Sequence, residues 1–235
     1  MAQALMLMAL FVCATPIGNL DDVSTRLLNT LREVALICAE DTRHTQRLLS
    51  RFEIHTPLSS VQQHTSPAKI RALVERLKAG ETLALVTDSG TPGISDPGPA
   101  LVREAAAAGI EVLPIPGPCA LVAALSISGF DAQRFSFLGF LPRKPGKLRK
   151  TLEEACAREE TFVLYESPYR VIKTLQALAE VAPTRPVSAS RELTKKFEET
   201  LRGTAHEIIE VLSARKEVLG EWAIVIGGAS AVEDE

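Results

Sequence analysis

Short apolar runs alternate along the chain with longer segments of helical character. In the first half, the predicted strands are residues 5–13, 35–39, 82–87 and 111–115. The predicted helices between them are residues 23–32, 45–51, 67–79 and 99–108. Runs that are apolar at successive positions, such as Leu83 to Val86, are typical of strands buried on both faces. This order of strands and helices predicts a mainly parallel sheet with helices on both faces.

A proline-rich stretch at residues 114–118 interrupts this pattern, and a helix of small residues is predicted at 119–128. A second set follows, with predicted strands at 134–140, 161–165, 187–190, 197–202 and 222–227. Its predicted helices are residues 147–157, 169–181 and 205–213. The sequence therefore predicts an α/β protein of two α/β domains, with an N-terminal domain at 1–116, a C-terminal domain at 117–228 and an acidic tail at 229–235.

The composition fits a globular protein with full cores, since 46% of the residues are hydrophobic and 23% are charged. The four cysteines are far apart and form no C-x-x-C pair, so reduced core thiols are expected. The apolar segment at 4–14 is shorter than the roughly 20 residues that span a bilayer, and no basic residues precede it. We expect a cytoplasmic protein, with this segment as the first strand and no membrane partner.

Glycines, prolines and polar residues collect where the predicted strands end. The longest such stretch, residues 88–98, reads DSGTPGISDPG and follows a buried strand. Open α/β sheets bind ligands at the carboxyl ends of their strands, and glycine allows a ligand to approach the backbone closely. An ordinary surface loop is the alternative for each stretch alone. Several of them on one sheet edge predict a binding cleft between the two domains.

The sequence also bears on metal sites and on nucleotide-binding sites. Glu40, Asp41 and His44 could suggest a metal site, but the other histidines form no ligand pattern, so no metal is expected. Asp41 could simply cap the next helix, or it could belong to a polar site together with nearby cations. The chain contains neither G-x-G-x-x-G nor G-x-x-x-x-G-K-[ST], which excludes a standard dinucleotide fingerprint and a Walker loop.

Two basic clusters stand out against a net charge of −3. The first lies within residues 143–150, contains no acidic residue, and has Pro142, Pro145 and Gly146 to keep its start out of a regular helix. A solvated surface is the ordinary explanation for such runs, but a concentrated and unpaired one favours phosphate binding. The clusters consist of Arg143, Lys144, Lys147, Arg149 and Lys150, and of Arg191, Lys195 and Lys196.

Seven motifs, in order, carry a resemblance that covers nearly the whole chain. They are residues 14–21 (ATPIGNLD), 39–45 (AEDTRHT), 88–98, 116–118 (PGP), 139–144 (GFLPRK), 165–170 (YESPYR) and 189–198 (ASRELTKKFE). In these motifs the chain resembles the bacterial 16S ribosomal RNA 2′-O-ribose cytidine methyltransferases, within the tetrapyrrole (precorrin) methylase superfamily. Many members of that family carry a further helical extension at the C-terminus, where this sequence ends at Glu235.

The resemblance implies S-adenosylmethionine, bound folded and largely by backbone groups in the interdomain cleft. It also implies a homodimer and a substrate in 16S ribosomal RNA or the small ribosomal subunit. By motif position, the cofactor-binding residues are expected to be Pro16, Gly90, Thr91, Ile94, Cys119, Ala120, Tyr165, Ala189 and Ala223.

Methyl transfer to a ribose hydroxyl requires alignment and removal of a proton. Asp41, Glu166 and Lys195 are the candidate bases, and a basic Lys195 would need a lowered pKa, for which Arg191 could be the cationic neighbour. Besides the basic clusters, Arg43 and Arg170 are candidates for holding RNA phosphates. Two alternatives stay open: a C-methyltransferase acting on a tetrapyrrole, and a nonenzymatic RNA-binding assembly protein.

Overall fold

The computed structural model describes residues 8–96 and 98–229. The chain divides into two compact units, residues 1–119 and 120–235, and the division falls three residues after the predicted boundary. The start of the first predicted strand, residues 5–7, and most of the acidic tail lie outside the described residues.

The first unit contains a sheet of five strands that all run parallel, in the order β3-β2-β4-β1-β5. Parallel neighbours need a crossover, and the helices supply most of these connections. The strands are β1 (Ala9–Cys13), β2 (Leu36–Ala39), β3 (Leu58–Ser60), β4 (Leu83–Val86) and β5 (Glu111–Ile115). The helices are α1 (Thr25–Glu33), α2 (Thr42–Arg51), α3 (Pro67–Lys78) and α4 (Pro99–Ala107).

Helices cover both faces of this sheet, which explains why its strands are continuous apolar runs. On one face, Phe11 and Ile37 pack with Leu31 of α1 and Leu49 of α2. On the other face, the strand residues pack with α3 and α4. Strand β3 was not predicted, because it is a three-residue edge strand whose residues are all half-buried.

The second unit contains a mixed sheet of five strands in the order β6-β7-β10-β8-β9. Only β6 and β7 run parallel, and the remaining pairs are antiparallel. The strands are β6 (Phe135–Phe140), β7 (Thr161–Glu166), β8 (Pro186–Arg191), β9 (Glu199–Thr204) and β10 (Trp222–Ile226). The helices are α5 (Ala120–Ser128), α6 (Pro145–Cys156), α7 (Val171–Val181) and α8 (Ala205–Ser213).

Three of these helices cover one face of the second sheet. Phe162, Leu164 and Ile224 form a core with residues of α6, α7 and α8. Helix α5 packs against β7, β8 and β10. The fold therefore confirms two α/β units. It corrects one detail: Pro145 and Gly146 are the first residues of α6, since proline fits the first helical position.

Candidate functional site

Three loops of the first unit join at the carboxyl edge of its parallel sheet. The loop after β1 and the loop after β4 are linked by two backbone hydrogen bonds: Thr15 N donates to Gly90 O at 2.9 Å, and Gly90 N donates to Thr15 O at 3.2 Å. The hydroxyl of Thr91 donates to Pro118 O, in the loop after β5, at 3.1 Å. We call this arrangement of residues 14–19, 87–96 and 116–119 the loop shelf.

Gly90 lies at the centre of the loop shelf, and its position requires glycine for two reasons. Its φ of +83° is in the left-handed region, which other residues disfavour. A Cβ atom there would also lie 3.2 Å from Ile17 Cγ2 and 3.5 Å from Pro118 O. Gly90 thus permits the three loops to approach one another closely.

The structure brings together several of the predicted cofactor-binding residues of the first unit. Pro16 and Gly90 are buried in the loop shelf, and Thr91 and Cys119 are half-buried beside them. Ile94 is held in the same loop by a hydrogen bond from its backbone N to Thr91 O at 3.4 Å. The resulting surface has small side chains and a rigid backbone.

Asp96, within the loop shelf, and Glu40, next to it, are acidic residues that the sequence does not predict as catalytic or cofactor-binding. Glu40 Oε2 accepts a hydrogen bond from the Thr87 hydroxyl at 2.7 Å. Burial and the charge of Glu40 raise the pKa of Asp96 to about 6. Glu40 and Asp96 line a depression of about 480 Å³ together with Gln62, Gln63 and Thr65. Both acids lie in the quoted motifs, but their proximity depends on the folded loops.

Asp41, a candidate base, caps helix α2 and pairs with Arg43. Its carboxylate accepts hydrogen bonds from the Arg43 guanidinium and from the Arg43 backbone N, and these bonds lower the pKa of Asp41 to about 2. Helix α2 therefore begins at Thr42, three residues before the predicted start. So acidic a carboxyl is a weak proton acceptor. The Arg43 side chain is 89% exposed, and it remains accessible to a phosphate.

A row of side chains crosses the second sheet at one register. Tyr165 of β7 pairs with Ala223 of β10, which pairs with Ser190 of β8. Directly paired residues share a face of a sheet, so these three belong to the same face. The Tyr165 hydroxyl accepts a hydrogen bond from Leu121 N of α5 at 2.8 Å.

Ala189, predicted to bind the cofactor, lies on the opposite face from Tyr165 and Ala223. Its side chain is fully buried in the core with Leu164 and Ile224, so it presents no side-chain contact to a ligand. Ser190 takes its place in the row, and its hydroxyl lies 2.9 Å from the Thr200 hydroxyl. The two-residue period of a strand was the signal that would have identified Ser190.

Glu166, the second candidate base, is a buried structural carboxylate. Its side chain is 0% exposed. Oε1 accepts a hydrogen bond from Ser167 N at 2.8 Å, and Oε2 accepts one from the Thr174 hydroxyl at 2.7 Å. With both oxygens bonded and no exposed surface, Glu166 does not reach a substrate hydroxyl in this structure.

Arg170, predicted to hold a phosphate, instead connects two loops of the second unit. Its Nη2 lies 3.4 Å from Glu166 Oε2. The guanidinium donates to the carbonyl oxygens of Leu141 and Pro142, each at 3.1 Å. Arg170 therefore positions the segment that leads into the first basic cluster.

Lys195, the third candidate base, is held in its charged form. Its Nζ lies 2.7 Å from Glu221 Oε2 and 3.0 Å from Glu192 Oε1. Partial burial lowers the pKa of Lys195, but the hydrogen bonds and charges of these two glutamates outweigh it and raise the pKa above its ordinary value. The lowered pKa that a basic lysine would need is absent. Arg191 pairs with Glu199 at 2.9 Å.

The first basic cluster consists of two different parts. Arg149 lies 2.8 Å from Glu153 and Lys150 lies 3.8 Å from Glu154, so the expectation of an unpaired run is wrong for this couple. No carboxylate of the described residues lies within 4 Å of Arg143, Lys144 or Lys147. We call these three residues the unpaired basic triple.

Lys196 of the second basic cluster stacks on an aromatic ring. Its Nζ lies 5.6 Å from the centroid of the Phe197 ring, and both side chains are on the surface. Within residues 8–96 and 98–229, there is no group of three or more metal-ligating side chains. None of the helices in the same ranges is long and apolar enough to cross a membrane.

Two α/β units, one with a loop shelf at the carboxyl edge of a parallel sheet, are typical of ligand-binding α/β proteins, and comparison with known proteins identifies the family. The family model of the tetrapyrrole (corrin/porphyrin) methylases matches residues 9–209. The chain therefore belongs to this family of methylases.

Relatives within the family are similar over nearly the full length. The ribosomal RNA small subunit methyltransferase I of Xylella fastidiosa is 46% identical over 223 residues, which are 94% of this chain and 82% of the relative. The protein of that name from Thermotoga maritima is 44% identical over 220 residues, or 93% of this chain and 98% of the relative.

A solved structure shares the fold at low sequence identity. The uroporphyrin-III C-methyltransferase of Thermus thermophilus, solved in complex with S-adenyl homocysteine, superimposes with a TM-score of 0.60 at 18% identity. The match covers 95% of this chain and 99% of that one. At this identity, the similarity shows the fold alone.

Proposed function

We propose that this chain transfers a methyl group from S-adenosylmethionine to the 2′-hydroxyl of a cytidine in the RNA of the small ribosomal subunit. The observation that carries the proposal is identity of 44–46%, over more than nine-tenths of the chain, with proteins named ribosomal RNA small subunit methyltransferase I. The 2′-hydroxyl and the cytidine rest on the motif resemblance.

The residues of the loop shelf fit a cofactor that is held by backbone groups. Gly90 leaves no side chain in the way, and the neighbouring loops are locked by the Thr15–Gly90 and Thr91–Pro118 hydrogen bonds. The residues that would hold the cofactor in the first unit are Pro16, Gly90, Thr91, Ile94 and Cys119. In the second unit they are Ala120, Tyr165 and Ala223, with Ala189 limited to its backbone. When bound, S-adenosylmethionine supplies an electrophilic methyl group.

The protein's part in the reaction is to align the ribose and to let its proton leave. In this structure Asp41 is too acidic, Glu166 is buried and bonded, and Lys195 is charged. None of the three is in the state that a general base needs. We therefore propose that alignment dominates the chemistry and that the hydroxyl proton passes to water.

The unpaired basic triple suits the RNA substrate, because cations without a carboxylate partner are free to bind phosphates. Presentation of a 2′-hydroxyl requires a nucleotide that is single-stranded or splayed out of a helix. Such a substrate places the reaction in the cytoplasm. The homodimer remains a prediction, which sedimentation of the purified chain would test.

A tetrapyrrole substrate is the second candidate, since the solved structure of similar fold is a C-methyltransferase named for uroporphyrin III. That activity would leave the unpaired basic triple without a role. The purified chain should be incubated with labelled S-adenosylmethionine in three separate reactions, which contain small ribosomal subunits, naked 16S RNA or a precorrin. We expect label in one or both RNA samples. Label in the precorrin alone would favour the tetrapyrrole reaction, and no label anywhere would favour a nonenzymatic RNA-binding protein.

A further inference from the structure

Two aromatic side chains are exposed in the segments that Arg170 connects, one of which leads into the unpaired basic triple. Phe140, the last residue of β6, is 60% exposed, and Tyr169, in the loop after β7, is 87% exposed. Aromatic residues make up only 5% of this chain, and tyrosine occurs twice. No other described group forms a hydrogen bond with the Tyr169 hydroxyl among the contacts of residues 8–96 and 98–229. Neither ring is used by the site described above.

The fold places these two aromatic residues in neighbouring segments. Strands β6 and β7 are parallel, and Phe140 pairs in register with Tyr165, so the loops that follow start side by side. Arg170, the residue after Tyr169, bonds to the carbonyl oxygens of Leu141 and Pro142, the residues after Phe140. The bond from Arg170 to buried Glu166 holds this connection in place.

The Phe140 ring has a fixed support. The Phe140 ring packs edge-on against the Tyr165 ring, with centroids 5.9 Å apart. Tyr165 is fixed in turn by the hydrogen bond from Leu121 N to its hydroxyl. Because the Phe140 ring is still 60% exposed beside this contact, it has surface left for an unpaired base to stack on.

The charges around the rings indicate which partner they take. Arg143 and Lys144 follow Phe140 by three and four residues, and both are exposed without a described carboxylate partner. Aromatic rings interleaved with free cations are typical of surfaces for single-stranded nucleic acid, where bases stack and phosphates pair with cations. A purely apolar protein partner would gain little from these cations.

We propose that Phe140 and Tyr169 form a stacking platform for unpaired bases of the RNA whose phosphates contact the unpaired basic triple. The inference rests on the proposed function and adds to it the residues that bind bases. Stacking is tolerant of sequence because every base has a π face, so the platform holds the strand rather than selecting the cytidine.

The test uses the full chain and a single-stranded RNA oligonucleotide of small-subunit sequence, with affinity measured by fluorescence anisotropy. We expect Tyr169→Leu and Phe140→Leu to weaken binding from about fivefold to about 100-fold each. Tyr169→Phe keeps the ring and should bind within about twofold of the parent. Phe135→Leu is the matched control, because Phe135 is an exposed aromatic residue at the opposite end of the same strand.

A second measurement separates stacking from general damage. In a series of oligonucleotides that each lack one base, removal of the base that stacks on Tyr169 should lower the RNA affinity of the parent. The same removal should leave the affinity of the Tyr169→Leu variant nearly unchanged. The dependence of affinity on salt should stay the same in both proteins, because the phosphate contacts remain.

The outcomes distinguish this inference from the proposed function. If the parent methylates RNA while both leucine variants keep the parent affinity and its sensitivity to base removal, the platform is wrong and the function stands. If the variants instead change the sedimentation of the protein without changing RNA affinity, the rings bind protein and the platform is again wrong. A parent that neither binds nor methylates RNA would overturn both.

Discussion

Substitution of Gly90 by alanine tests whether the loop shelf holds the cofactor. The change has two separable effects. An alanine must adopt the φ of +83°, and its Cβ must fit against Ile17 Cγ2 at 3.2 Å and Pro118 O at 3.5 Å. The first effect is local to one residue, whereas the second requires the Ile17 side chain, in the loop after β1, to move by a few tenths of an ångström, since Pro118 O is at an ordinary contact distance.

A second glycine separates these two effects. Gly109 follows helix α4 with a φ of +75°, and a Cβ atom there would have no neighbour within 4 Å. Gly109→Ala should therefore lower the free energy of unfolding by the backbone strain alone, about 1–2 kcal/mol. Gly90→Ala adds overpacking against its neighbours, which costs about 1–3 kcal/mol more.

The assay combines chemical denaturation with calorimetric titration of S-adenosylmethionine. If the loops relieve about 1.4 kcal/mol of the overpacking by moving away from their binding position, cofactor affinity falls about tenfold in Gly90→Ala. Gly109→Ala should bind the cofactor as the parent does. Equal affinity in the two folded variants would refute the assignment of the cofactor to the loop shelf.

Three further predictions concern charge. Neutralising the unpaired basic triple should flatten the slope of log affinity against log salt for single-stranded RNA by about 2. Neutralising Arg149 and Lys150 together should change the slope less, because glutamates already pair with them. Equal slopes in these two variants would contradict the prediction. Because the pKa of Asp96 is raised from 3.8 to about 6, the folded state holds that proton more tightly, and the free energy of unfolding should fall as pH rises from about 4 to about 6. After allowance for solvent screening of this half-buried group, Asp96→Asn should be more stable than the parent at neutral pH by about 1 kcal/mol and equal to it near pH 3.5. Chemical denaturation across this pH range measures both proteins, and a constant difference between their free energies of unfolding would contradict the reasoning. Finally, loss of a general base lowers the rate of the chemical step by about 10²–10⁴-fold. We expect single-turnover rates within about tenfold of the parent for three separate variants, Asp41→Asn, Glu166→Gln and Lys195→Met. A larger loss in any variant that still folds would identify the substituted residue as the base.

Most elements of the fold and the position of the loop shelf could be predicted from the sequence because they depend on local patterns, whereas the short edge strand β3 could not. Apolar runs such as β4 are buried on both faces, and the glycine-rich stretch after β4 lies where parallel strands place ligands. The loops after β1, β4 and β5 meet at one edge of the sheet, as the glycines, prolines and polar residues at the strand ends predicted. Local patterns identify where a site lies.

The states of the individual side chains could not be predicted, because they depend on burial and contacts in the folded chain, some of them with residues far away in the sequence. Lys195 is held charged by Glu221, which is 26 residues away. Glu166 loses its access to substrate through burial, with Thr174 on the following helix as a partner. The pKa of Asp96 depends on Glu40, which the fold brings to the same depression. Charge and accessibility are set by such contacts, and a motif names only the residue type.

The position of the transferred methyl group tests the central claim most directly. RNA from the small ribosomal subunit should be incubated with the purified chain and S-adenosylmethionine, digested to nucleosides and analysed by mass spectrometry. The account predicts a new cytidine whose added methyl group stays with the ribose fragment, and its absence when the cofactor is omitted. A methyl group on a base, or RNA that gains no methyl group while a precorrin does, would contradict it.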